Sequence, residues 1–250
     1  MFYIIGIGLT TKQLSLEAKN AILESKEVYI DNYTNILSFG EIKELKETLG
    51  KDIIQLNRTE LEQKQEYLKN DSCLLVIGNP LSATTHYSLL EELKKRDIEY
   101  KIIAGISIFN YRGSFGLYEY KFGKTVSIVY PEKNYFPKSF YDLILDNLKI
   151  NAHTLCLLDI KVIENRFMSA KEACELLEEI DTDKKLENKT CAMLSGMGSV
   201  NEKIITFNFK DYKKLKEYPK PQSLVICADL NEFEKVSVDE YRDWRIFWKI

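Results

Sequence analysis

Three short stretches carry the groups that could do chemistry. The first is Gly6-Ile7-Gly8-Leu9, directly after an apolar run and before a helical pattern, where glycine permits a sharp turn and close approach of a ligand to the backbone. It lacks the third glycine of the dinucleotide fingerprint, so a plain tight βα turn accounts for it equally well. The second is Gly78-Asn79-Pro80-Leu81-Ser82-Ala83-Thr84-Thr85-His86, after another apolar run. It brings the hydroxyls of Ser82, Thr84 and Thr85 to a helix start, where any of them also serves as an N-cap. The third is Ser107-Ile108, beyond the run that ends at Ala104. All three leave the carboxyl ends of strand-like runs, and open α/β sheets bind ligands in the crevice there. A side chain at Gly8 is expected to fill that space and abolish binding without unfolding the protein.

Other chemistries lose their usual residues. The two histidines, His86 and His153, have no Cys, Asp or Glu at metal-ligand spacing, so no metal site is expected. There is no GxSxG elbow and no GxxxxGK[ST] phosphate loop. His153 heads an apolar run and reads as a histidine partly satisfied at the surface rather than a catalyst. Asp159, at the end of that run, either holds a loop by accepting backbone hydrogen bonds or lines a cleft. No residue stands out as a catalytic acid or base.

The elements that must position these loops follow from periodicity. Strands are predicted over 2–5, 28–30, 53–56, 73–77 and 100–103, with amphipathic helices over 16–25, 59–70 and 82–95 between them. In the last helix Leu89, Leu90 and Leu93 share a face. This alternation specifies an open, largely parallel α/β sheet. Beyond a Gly- and aromatic-rich segment starting at Tyr111, strands over 125–130, 154–158, 190–194, 204–209 and 223–228 are less regularly interrupted, by helices over 139–148 and 169–180. A mixed sheet is expected there, giving an N-terminal α/β domain over 1–110 and a second α/β domain over 111–250. The tail from Asn231 alternates charge with aromatics and ends in Trp244, Phe247 and Trp248, read as packing onto the body or a second subunit.

Composition bounds the setting. At 250 residues and 45% hydrophobic the chain can bury a real core, and its five cysteines lack a CxxC pair and read as buried thiols in a reducing compartment. No apolar run approaches the roughly 20 residues that span a bilayer, and the start lacks a secretory signal's basic flank, so a cytoplasmic protein is expected. A net charge of -3, with both signs interleaved, gives no global attraction for nucleic acid. The lysines at 210, 213, 214, 216 and 220 read first as a solvated helix face leading into a turn, and second as a docking patch for an acidic or RNA-bound partner.

Read in order, FYIIGIGL, VYIDNYTNIL, VIGNPLSATTHYSLL, ISIFN, LYEYKFGKTVSIV and HTLCLLDIK resemble segments of the diphthine synthases, members of the tetrapyrrole-methylase-like class of enzymes that use S-adenosylmethionine. The likeness runs from residue 1 to about 175 and resumes more faintly through 193–204 and 222–226. TTH and LLDIK are specific to the family; the GxGL start belongs to the wider class. The resemblance implies a two-domain tetrapyrrole-methylase-like fold with cofactor contacts at Leu9, Asn79, Ser82, Ser107, Ile108, Leu158, Met197 and Gln222. The family usually carries Asp where this chain has Asn79, and often His at Gln222, while Gly198-Ser199-Val200-Asn201 replaces an acidic stretch.

What the resemblance implies for activity is repeated methyl transfer from S-adenosyl-L-methionine, leaving S-adenosyl-L-homocysteine, to the amine of a modified histidine on translation elongation factor 2 during diphthamide biosynthesis. It also implies a homodimer, with the cofactor in a crevice between the two halves. TVSIV and HTLCLLDIKV are more like the eukaryotic branch, which adds a fourth methyl as an ester, although the long insertion after LLDIK that many eukaryotic members carry is missing. Two alternatives stay open: a tetrapyrrole methyltransferase of the same class, and a relative that binds without catalysing. A nicotinamide-dependent oxidoreductase is disfavoured by the missing third glycine.

Overall fold

The structure, a computed structural model, describes residues 1–31, 36–38, 40, 42–82, 87–133 and 136–242. The chain forms two compact units. One comprises Met1–Ile108 with Lys161–Asn165 and Gly198–Val200, and the other Phe109–Ile160, Arg166–Met197 and Asn201–Ile250.

In the first unit the strands β1 (Phe2–Gly6), β2 (Glu27–Asp31), β3 (Ile53–Leu56), β4 (Ser72–Val76) and β5 (Tyr100–Ile103) form one sheet in the order β3-β2-β4-β1-β5. Every pairing in it is parallel. Helices α1 (Leu16–Glu24), α2 (Ile42–Leu49) and α3 (Tyr87–Lys95) supply the connections. The central strands read as unbroken apolar runs because both of their faces are covered. Ile5, Val28, Ile30, Cys73 and Leu75 pack with Ala18, Ala21, Ile22, Leu45 and Leu49 of α1 and α2. Their strand neighbours Phe2, Ile4, Tyr29, Leu74 and Val76 pack on the other side with Leu61, Tyr67, Leu89 and Leu93. The period of two along each strand thus splits one sheet between two cores.

The second unit holds β6 (Val126–Ile128), α4 (Ser139–Lys149), β7 (Thr154–Leu158), the two-residue strand β9 (Arg166–Phe167), α5 (Ala170–Ile180), β10 (Thr190–Ser195), β11 (Lys203–Asn208), β12 (Gln222–Ile226) and α6 (Glu232–Glu240); the other two-residue strand, β8 (Ile160–Lys161), begins at Ile160 of this unit and ends at Lys161 of the first. Its five-stranded sheet runs β11-β10-β12-β7-β6. Only the β6–β7 pair in it is parallel, so the sheet is mixed as expected. Helix α5 starts at a capping box in which the Ser169 hydroxyl accepts from Glu172 N–H while the Glu172 carboxylate reaches back to Ser169 N–H, and α6 repeats the device with Asn231 and Glu234.

The local predictions differ from the structure in several places. The helix expected over 59–70 is a single π-helical turn, Glu60–Lys64, closed by Gln65 at a left-handed φ of 51°. Beyond it Tyr67 turns inward and its hydroxyl donates to the Leu61 carbonyl at 3.1 Å, a local bond that replaces continued helix. Helix α2 was not anticipated, although Leu45 and Leu49 bury one face at helical spacing. Helix α6 stands where only a charged and aromatic tail was read; Trp244, Phe247 and Trp248 lie outside the described residues. The lysine-rich stretch opens as a 3-10 helix, Phe209–Lys214, that buries Phe209 and Tyr212 and leaves Lys213 and Lys214 to exposed pairs with Glu178 and Asp211. No helix among the described residues is long and apolar enough to cross a membrane.

Candidate functional site

Sheet order brings the three loops of the first unit together. β1 sits between β4 and β5, and the connections from β1 and β4 lead toward opposite edges of the sheet, the arrangement that opens a crevice at carboxyl ends. Gly78 N–H donates to the Gly8 carbonyl at 2.9 Å, with a longer return bond of 3.4 Å. A Cβ on Gly6 would stand 2.5 Å from Gly105 N and 2.6 Å from the Gly78 carbonyl oxygen. Only glycine lets the three strand ends close to this distance.

Around that glycine contact lie the five predicted residues of this unit. Gly78 has a φ of +84°, and among the described residues a Cβ there would meet only Ser107 Cβ at 3.6 Å and Leu9 Cδ2 at 4.0 Å, so that side faces those two residues. Asn79 ties two loops: its Nδ2 donates to Ser82 Oγ at 2.7 Å and its Oδ1 accepts from Gly105 N–H at 3.3 Å. Ser107 is buried, and Ile108 opens a 3-10 turn, Ile108–Asn110. Thr84, Thr85 and His86 lie outside the described residues.

Leu9 is held from both sides. Its N–H donates to Gln13 Oε1 at 2.8 Å, and its carbonyl accepts from Ser38 N–H at 2.8 Å. Gln13 escaped sequence reasoning, since a lone amide in a loop carries no periodic or motif signal. It also corrects the expectation for Gly8. A Cβ on Gly8 would stand 2.5 Å from Gln13 Cβ at a φ of +83°, so a side chain there strains the loop itself before any ligand is involved.

In the second unit Leu158, Met197 and Gln222 fall on one end of the mixed sheet. Gln222 pairs with Ser195 at the end of β10, and Ser223 pairs with Leu157, which sets Gln222 beside Leu158. Met197 follows β10 by two residues, in a turn fixed by Gly196 N–H donating to the Pro221 carbonyl at 3.0 Å. The Gln222 side chain is consumed internally. Its Oε1 accepts from Ala170 N–H at the start of α5 at 2.8 Å, and its Nε2 donates to the Tyr218 carbonyl at 2.9 Å.

Two further expectations concern ionisable residues. Asp159 takes its loop-holding role: Oδ2 accepts from Tyr130 N–H at 3.1 Å. His153 is corrected, because it is fully buried rather than partly satisfied at the surface. Its Nδ1 accepts from Ala228 N–H and its Nε2 meets the buried Glu234 carboxylate, a partner 81 positions away that no spacing rule connects to it. All five cysteines are buried free thiols. Burial pushes Cys73 up to about 11 and Cys227 to about 12, which removes them as nucleophiles at neutral pH. The predicted contact residues contain no paired acid and base; they offer backbone groups, hydroxyls, an amide and apolar surface, groups suited to orienting a ligand rather than to moving a proton.

Comparison with known proteins places these features in context. The family described as Tetrapyrrole (Corrin/Porphyrin) Methylases matches residues 1–212. The chain is 40% identical to the diphthine synthase of Staphylothermus marinus, covering 94% of this chain and 91% of that protein. It is 36% identical to the diphthine methyl ester synthase of Kluyveromyces lactis, covering 90% and 83%. A solved structure from Entamoeba histolytica, provisionally named a diphthine synthase, superposes with a TM-score of 0.87 at 30% identity, over 97% of this chain and 98% of that one.

Proposed function

We propose that this chain, which belongs to the tetrapyrrole (corrin/porphyrin) methylase family and within it to the diphthine synthases, methylates the amine of a modified histidine on translation elongation factor 2, using S-adenosylmethionine, in diphthamide biosynthesis. The observation that carries the reading is 40% identity to a diphthine synthase across nearly the whole chain. The site's chemistry fits the cofactor: close backbone approach at Gly6, Gly78 and Gly105, an amide and hydroxyls at Asn79, Ser82 and Ser107, and apolar surface at Leu9.

The eight residues Leu9, Asn79, Ser82, Ser107, Ile108, Leu158, Met197 and Gln222 are the proposed cofactor contacts. When bound, S-adenosylmethionine supplies a methyl on a cationic sulfur: the amine lone pair forms the N–C bond, the C–S bond breaks with its pair left on sulfur, and S-adenosylhomocysteine remains. Gln13 and Ser38 hold Leu9, and Asn79 holds the Gly105 and Ser82 loops, so the contact groups are fixed before the ligand arrives. Alignment of this kind can lower a barrier by about 7 to 11 kcal/mol. A neutral amine attacking a sulfonium methyl needs no base in the transition state, in keeping with the absence of an acid–base pair among the contact residues. We read the protein as cytoplasmic and homodimeric.

The test is mass spectrometry of elongation factor 2 carrying the unmethylated precursor, after incubation with enzyme and saturating S-adenosylmethionine. A gain of three methyls assigns a diphthine synthase and of four a methyl ester synthase. An unchanged mass, with methyl transfer to uroporphyrinogen instead, would move the chain to the tetrapyrrole enzymes of its family. Cofactor binding without transfer to either acceptor would leave a binding protein, the reading that Asn79 in place of Asp motivates.

A further inference from the structure

Buried hydroxyls without a partner are rare in folded proteins, because each gives up its hydrogen bonds to water and receives none in return. Among the described residues of the first unit, three of them lie close together. Thr10 Oγ1, Thr11 Oγ1 and Ser38 Oγ are shielded from solvent and have no hydrogen-bond partner among the described residues. Thr10 is only 1% exposed. Thr10 and Thr11 directly follow Leu9, and Ser38 is laid against the same turn by its 2.8 Å bond to the Leu9 carbonyl. Gly40, with a φ of +88°, borders the group: a Cβ there would stand 2.9 Å from Thr11 Oγ1 and 2.6 Å from Glu44 Oε2. A hydroxyl and a carboxylate therefore flank one bare stretch of backbone.

Packing does not call for these hydroxyls. Valine has the shape of threonine without the cost of an unpaired polar atom, and alanine serves in place of serine. Hydroxyls kept at three neighbouring positions, beside a turn proposed to touch the cofactor, are what a site gives up in stability to keep polar groups ready for a ligand.

We propose that Thr10, Thr11 and Ser38, with the Glu44 carboxylate at their edge, form the subsite that receives the acceptor amine; this rests on the methyltransferase reading above. In the first two rounds the hydroxyl oxygens accept the N–H groups the amine still carries and leave its lone pair to point away from them. The carboxylate favours the cationic nitrogen that each transfer generates. In each round the N–C bond forms as the methyl–sulfur bond breaks and sulfur keeps the electron pair; after each of the first two the nitrogen gives a proton to water, and the third leaves a quaternary nitrogen with none to give. Leu9, a proposed cofactor contact, immediately precedes Thr10, so donor and acceptor are gripped by one turn.

The test uses Thr10→Val, Thr11→Val and Ser38→Ala, each in the full chain. Removing an unpaired hydroxyl should raise Tm by about 2–4 °C. The Kd for S-adenosylmethionine, by calorimetry, should stay as in the parent, while KM for the acceptor protein rises about tenfold, the loss of one hydrogen bond to the substrate. A KM equal to the parent's in an active enzyme overturns the subsite, whatever Tm does. A lowered Tm assigns the hydroxyl to internal structure and overturns it as well. If the unsubstituted enzyme transfers no methyl to the acceptor, the methyltransferase reading itself fails and the subsite falls with it.

Discussion

His153 Nε2 lies 3.0 Å from Glu234 Oε1, and neither side chain is exposed to solvent. Ala228 N–H donates to His153 Nδ1 at 3.0 Å, so the ring's one proton sits on Nε2 and is given to the carboxylate. Lys121 Nζ donates to the other carboxylate oxygen at 2.7 Å. A neutral imidazole, a carboxylate and an ammonium thus share one buried network that joins the loop before β7 to the first turn of α6.

That network predicts the acid limb of the stability curve. Burial lowers the His153 pKa more than Glu234 raises it, so folding favours neutral histidine. Burial also pushes the Glu234 carboxyl up, but Lys121, His153 and the Asn231 and Tyr118 N–H groups outweigh it and hold the carboxyl at about 2. Both folded values lie below the unfolded ones, so both contributions are present above the unfolded values and fade as pH falls. Urea titrations should show stability level above about pH 7, declining below 6.5 as His153 protonates in the unfolded chain, and declining more steeply below 4.5 on account of Glu234. The Glu234 contribution is roughly 3 kcal/mol. Glu234→Gln should lose about that much at pH 7 and abolish the steeper step; a variant that keeps the step assigns it to another carboxylate.

Gln222→Leu tests whether that residue acts through its own side chain. Ala170 N–H and the Tyr218 carbonyl would lose their partner inside the second unit. We expect about 1–3 kcal/mol of lost stability in chemical denaturation. Affinity for S-adenosylmethionine should change by less than about threefold, because the amide faces the protein and only the backbone of β12 is left for a ligand. A large loss of affinity at unchanged stability would show that the amide leaves Ala170 to reach the cofactor.

Most of this architecture was legible wherever burial alone decided it. β3, β5 and β7 have the predicted bounds: β7 is an apolar run buried almost throughout, while the edge strands β3 and β5 expose their two middle residues and keep buried or half-buried ends. Helix α6 was hidden because its buried face pairs Val238 with a carboxylate, Glu234, and leaves Phe233 and Val236 exposed. Apolar spacing cannot announce such a helix, though the Asn231 and Glu234 capping box was there to read. Of the site, the glycine turns were readable and the partners of Leu9 and Asn79 were not. Gln13, Ser38 and Gly105 reach them through hydrogen bonds that the sequence does not encode by distance along the chain.

Gly8→Val and Gly78→Ala should separate strain from occupancy. At Gly8 the added side chain collides with Gln13, so Tm and cofactor binding should fall together, with about 1–3 kcal/mol of strain. At Gly78 the methyl has ordinary contacts with Ser107 and Leu9, and the cost to folding is the left-handed φ alone, about 1–2 kcal/mol. Its methyl instead takes space between two proposed contacts, and calorimetry should show affinity for S-adenosylmethionine reduced at least about tenfold. Full affinity in Gly78→Ala would remove the first-unit loops from the cofactor site.

Asn79→Asp probes the position where this chain departs most from the pattern it resembles. The acceptor oxygen that receives Gly105 N–H is retained in the carboxylate, and the bond to Ser82 survives by reversal, with the hydroxyl donating. The fold should therefore be unaffected, with Tm within about 2 °C of the parent, the range of a change worth under about 0.5 kcal/mol. What the substitution adds is a negative charge on a loop proposed to hold a cationic sulfonium. Two unit charges about 4 Å apart attract by about 4 kcal/mol at an effective dielectric of 20, and desolvation of the carboxylate takes back a large share. We expect S-adenosylmethionine to bind about tenfold more tightly, with the neutral product S-adenosylhomocysteine unchanged. The gain should shrink at 1 M salt, where the Debye length is about 3 Å. Equal tightening of both ligands would trace the effect to loop geometry instead of charge, and no tightening of either would place residue 79 away from the sulfur.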